Sequence, residues 1–143
     1  MSSLIATATS AFISTLTGAA GVPTVSRIKL RPLSATTTSA VVVRPVQTEV
    51  AEASLAPGHP IQWQTTIAVE CYARATLGTA PDNAVDAVIS AVYAALMTDP
   101  TLGNQVVRIA PQTLVYEFDA DADNTVAAIF QFSVRQRATP AIF

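Results

Sequence analysis

Between Pro81 and Leu96, apolar side chains recur at Val85, Val88, Ile89, Val92 and Leu96, steps of three and four that draw one stripe along a 3.6-residue helix. The stripe predicts a helix with one buried face. Pro81 suits its first position, where the missing N–H has no intrahelical role, and Asp82 and Asp86 put negative charge near the positive end of the helix dipole. Asp99-Pro100 forbids another turn, and Gly103 lets the backbone reverse toward a strand starting near Val106. A second stripe, Ile5, Ala8, Phe12 and Leu16, predicts a helix over Ser3 to Leu16, capped by Ser2 or Ser3 and ended by Gly18, Gly21 and Pro23.

Elsewhere the period is two. Thr24 to Leu30 is β-branched enough to favour a strand, and Ala40 to Val50 reads as another, with Pro45 at an edge or a bulge because it cannot donate to a ladder. From Trp63 the odd positions through Ile67, Val69, Cys71 and Ala73 are mainly apolar, and the even ones mainly polar. Val106 to Asp119 and Thr125 to Arg137 form a long hairpin around Asp121-Ala122-Asp123-Asn124, with Leu114, Tyr116 and Phe118 matched by Val126, Ala128, Phe130, Phe132 and Val134. The Ser/Thr-rich stretch 31–39 and the stretch 53–60 read as loops. The expected fold is α+β: one domain over 1–143, with a mixed, mainly antiparallel sheet of about five strands. Both helices pack on one face of it and leave the other face free.

Composition adds a constraint. Half of the 143 residues are apolar and only 13% are charged, against roughly 25% in an ordinary soluble domain. Apolar runs such as 87–97 fall short of the ~20 residues a bilayer needs. Ser and Thr interrupt the N-terminal stretch, which lacks the form of a secretory signal, so a cytoplasmic site of assembly is expected. A weakly charged, apolar exterior is most simply covered by other protein, which points to a subunit of an assembly. The net charge of −2 gives no general attraction to nucleic acid.

The candidates for chemistry are few. Asp119, Asp121 and Asp123 imitate the opening of a calcium loop, but its sixth position is Asn124 instead of glycine and its twelfth is Phe130, which has no ligand oxygen. An acidic hairpin tip, open to a basic partner at a subunit contact, fits better. His59 stands between Gly58 and Pro60 with no cysteine or carboxylate cluster nearby, and Cys71 is the only cysteine, in a strand that buries it. Glu49 and Glu52 have a solvated-surface explanation. No GxSxG elbow, Ser-x-x-Lys, GxGxxG or GxxxxGK[ST] occurs. The expectation is no enzyme, no cofactor and no metal. Arg27, Lys29, Arg31, Arg44, Arg135 and Arg137 carry positive charge on strands and strand ends, opposite in sign to the tip; Arg27, Arg44, Asp119, Asp121, Asp123, Arg135 and Arg137 are the candidate subunit-interface residues.

The order of elements, the helix ending in LMTDPTLG (Leu96 to Gly103) followed by extended VVRIAP, and a terminal hairpin closing in FQFSVRQRAT together resemble the tail terminator (tail completion) proteins of long-tailed bacteriophages. The junction is the most specific element, and residues 31–60 match least. The resemblance implies an α+β subunit that forms a ring, most often of six copies, on the finished tail tube. Such a ring stops tube polymerisation and offers a surface to the head-side connector, with DNA passing through its channel without sequence-specific binding. It implies a virion location in the tail or neck. Head-to-tail ring contacts would use apolar surface on both sides of each subunit. The alternatives are another neck component, such as a head-closure ring, and a non-viral α+β binding module.

Overall fold

Ser3 opens the first helix: in the computed structural model, which describes residues 3–27, 39–52, 61–74, 80–119 and 125–138, its hydroxyl accepts from the Ala6 N–H at 3.2 Å. That bond satisfies one of the donors left over at a helix start. Helix α1 spans Leu4–Leu16, and its stripe of Ala8, Phe12 and Leu16 is fully buried. Helix α2 spans Pro81–Met97, with Pro81 in its first turn and Val85, Val88, Ile89, Val92 and Leu96 buried, as the periodicity predicts. Asp82 is the acidic residue of its first turn.

The strands are β1 (Val25–Arg27), β2 (Ser39–Glu52), β3 (Ile61–Arg74), β4 (Arg108–Asp119) and β5 (Thr125–Ala138), in the sheet order β1-β2-β3-β5-β4. β1 runs parallel to β2, and every other pairing is antiparallel. This is the expected mixed, mainly antiparallel α+β sheet. Some boundaries differ. Ser39 belongs to β2 instead of the preceding loop, β3 begins at Ile61, and β4 begins at Arg108 because the turn after α2 continues past Val106. The rest of the two loops, and the residues after Arg27 in the first expected strand, lie outside the described residues.

Pro45 sits at a register shift between Pro45 and Gln47, the bulge its missing donor calls for. β2 has a further shift between Val50 and Glu52, and a third, between Pro111 and Thr113, lies at the other strand proline, in edge strand β4. Both helices pack on one face, sharing a core with Val41, Val43, Ile67, Val69, Cys71, Phe132 and Val134.

The opposite face is less open than expected. Val42 and Ala68, which point away from the helices, are buried as well. Ala68 is flanked in register by Arg44 and Gln131, and Val42 by Glu70. Long neighbours lay their aliphatic stems over short ones, so this stretch is covered without a second layer of helices.

Candidate interaction surfaces

Of the seven residues singled out by charge, the four arginines, whose side chains the structure describes, do not gather at one place. Arg27 donates to the Ser10 hydroxyl of α1 and so fastens β1 to the helix. Arg44 is taken by Glu70, with Nε to Oε2 at 3.2 Å. Glu70 also accepts from the Tyr72 hydroxyl at 3.3 Å. Burial, reinforced by the Glu70 charge and this bond, pushes the phenol up to about 12. Arg44 thus belongs to an internal ion-pair cluster on the sheet face, and its charge is already answered.

Arg135 and Arg137 are different. Alternation along β5 points both away from the helices, and both are exposed. Arg108, which the sequence reading did not single out, stands directly opposite Arg135 across the β4–β5 ladder. The bulge near Gln112 sets that register, and counting from the hairpin tip without it misses the pairing by one residue. The Val107 N–H donates to the Arg135 carbonyl at 2.9 Å, and Arg135 Nη1 reaches Gln62 Oε1 at 3.5 Å. Among the described residues, no carboxylate pairs with Arg108, Arg135 or Arg137. A hollow of about 570 Å³ lies there, lined by Gln62, Val107, Arg108, Ser133, Arg135 and Arg137.

Asp119 pairs with Thr125 at the other end of the same hairpin. Asp121 and Asp123 lie outside the described residues, as does the calcium-like run they belong to and His59. The second hollow, about 370 Å³, runs beside α1 and is lined by Thr7, Ser10, Ser14, Thr15, Leu102 and Gln105, none of them titratable. Cys71 is buried in the core, and burial pushes its thiol up to about 12. No three or more His, Cys, Asp or Glu among the described residues are gathered to hold a metal ion. No helix there is long and apolar enough to cross a membrane.

Exposed apolar side chains collect on the flanks of the sheet. Val107, Val115 and Tyr116 lie on or beside edge strand β4, Val46 and Val50 on the outer half of β2, and Tyr93 on α2. A long edge strand with apolar side chains is a template for pairing with another chain.

The junction from α2 to β4 is a built turn. The Asp99 carboxylate accepts from the Thr101 N–H at 3.1 Å, the Thr101 hydroxyl at 2.7 Å and the Gly103 N–H at 2.8 Å. These bonds hold its carboxyl below the ordinary range. Leu102, Gly103 and Asn104 follow with φ of 51°, 69° and 66°, all left-handed. Only glycine takes that conformation freely, so Leu102 is held there by burial of its side chain and by the bonds on either side. The Ile109 N–H then donates to the Pro100 carbonyl at 2.8 Å, locking the turn to the start of β4.

No protein-family model matches this chain, and no curated protein does. Among solved structures, the fold is similar to a chain in the cryo-EM structure of the sheath/tube terminator, in the extended state, of the extracellular contractile injection system PVC. The TM-score is 0.49 and the identity 11%, over 95% of this chain and 58% of that one. This chain therefore spans little more than half the length of that neighbour.

Proposed function

We propose that the chain is a structural subunit of a phage-type tail, a tail terminator that assembles into a ring on the head-proximal end of the tail tube. The observation that carries the reading is the Leu96–Gly103 junction. Its LMTDPTLG sequence is the most specific point of resemblance to the tail terminator proteins, and it forms an organised turn that sets the start of edge strand β4. The α+β fold, the element order and the apolar side chains on both flanks of the sheet agree with it. A ring subunit needs two different side surfaces that fit each other head to tail.

In this reading the protein works by shape and contact and catalyses nothing. It binds further copies of itself, most simply six, together with the tube protein and the head-side connector, and it surrounds passing DNA without reading its sequence. It is made in the host cytoplasm and resides in the neck of the virion. Electron microscopy of tail tubes mixed with the purified protein tests this. Closed discs at one tube end support it, and tubes with bare ends at saturating protein refute it.

A further inference from the structure

We propose that Arg108, Arg135 and Arg137 receive the acidic β4–β5 tip, Asp119 to Asp123, of a second copy of this chain. The proposal deepens the ring-subunit reading and rests on its claim of self-assembly.

The arrangement is costly within one chain. Arg108 and Arg135 are a direct cross-strand pair on one face, and Arg137 follows Arg135 two residues along the same face. Like charges directly opposite each other in a ladder are unfavourable. No carboxylate among the described residues offsets them, whereas Arg44 on the same face has Glu70. Three guanidinium groups around a hollow of about 570 Å³ make a site for an anion.

The anion is found in the chain itself. The tip carries three carboxylates within five residues, in a chain with ten acidic residues altogether. Asp119, where the tip leaves β4, lies far from the arginines of its own chain. Arg108 and Asp119 mark opposite ends of β4, eleven steps apart, or about 35 Å at the rise of an extended strand. The partner must be another copy. Each copy then offers a tip at one end of the hairpin and a receiving site at the other, which makes a heterologous contact that closes into a ring when the rotation permits. Val107, exposed beside the arginines, adds apolar ground near the polar contact. Phosphate is the competing anion, but the net charge of −2 opposes the approach of DNA and does not oppose a local contact between unlike ends of the same chain.

Charge reversal tests the pairing. Three variants are compared with the wild type by sedimentation at low and high salt: R135E/R137E, D121R/D123R, and the chain carrying all four changes. The reversed residues of β5 are exposed, and circular dichroism of each variant checks that it is folded. Each two-residue variant is expected to weaken self-association roughly tenfold or more, the consequence of facing like charges. The four-residue variant is expected to regain it, and so is a one-to-one mixture of the two partial variants. Unchanged association of R135E/R137E overturns the proposal, as does failure of the four-residue variant to recover, or a wild type that stays monomeric at every concentration. So does duplex DNA binding by the wild type that R135E/R137E abolishes while association is unaffected, since the site then takes phosphate. Tube-end capping is scored separately. Capping that survives an unchanged association refutes only the pairing, and charge-dependent association without capping refutes only the tube reading.

Discussion

The rings of Phe12 and Phe132 meet edge to face, with centroids 5.8 Å apart and planes inclined by 69°. Phe132 in turn stacks on Phe130 at 4.4 Å, and Phe130 on Tyr93 at 6.1 Å. The row runs from α1 across β5 to α2, so three elements distant in sequence share one aromatic contact line. Edge-to-face and offset stacks add to the gain from burial alone. Phe12→Ala is expected to cost about 3–5 kcal/mol, because it removes a fully buried ring and leaves a cavity between helix and sheet. Urea unfolding measures it. A loss below about 1 kcal/mol would mean that α1 is not docked as described.

Phe12, Phe130 and Phe132 were legible in the sequence as apolar-face positions, but their meeting was not, and Tyr93 lies off the α2 stripe. Phe12 lies on a 3.6-period stripe and Phe132 on a two-period alternation, and period alone assigns both to the core. Which strand α1 covers depends on the order β3-β5-β4, which local pattern does not contain. The same limit explains the charged candidates. Arg44 looked like Arg135 along the chain, yet Arg44 stands opposite Ala68 and reaches Glu70 on the diagonal, whereas Arg135 faces Arg108. The strand bulges shift that register by single residues, and of them only the one at Pro45 was visible beforehand.

The Asp99 turn gives a pH-dependent prediction. Its carboxyl is held below the ordinary range by the bonds from Thr101 and Gly103, so the ionised form is favoured by folding. That contribution is present above the unfolded carboxyl's range and is lost as pH falls through the folded one. Asp99→Ala is expected to lower Tm at neutral pH, and the gap from wild type is expected to narrow as the solution is acidified. A gap that stays constant into strong acid would contradict the hydrogen-bonded turn.

Gly18 and Gly21 share a φ of 78° but not a neighbourhood. A Cβ at Gly18 meets nothing within 4 Å, whereas one at Gly21 comes to 3.1 Å from the Ala91 Cβ of α2. Gly18→Ala is expected to carry the backbone cost alone, about 1–2 kcal/mol. Gly21→Ala should cost more, because it also presses on α2. Equal losses in thermal unfolding would show that the segment leaving α1 does not approach α2 so closely.

Cys71 serves as a probe of the core. With its thiol pushed up to about 12 and its side chain buried, it is neutral and screened at pH 8. A disulfide-exchange reagent such as Ellman's is expected to leave the native protein unmodified and to react fully in denaturant. Rapid native-state reaction would contradict the placement of β3 at the centre of the sheet.

Growth of the tail tube itself is the decisive readout for a terminator. Preformed tubes are incubated with this protein, then supplied with fresh tube subunits, and their lengths are measured by electron microscopy. Capped tubes are expected to keep their starting length while untreated tubes extend from the same end. Continued extension at that end, with the protein present in excess and folded, would contradict the terminator reading.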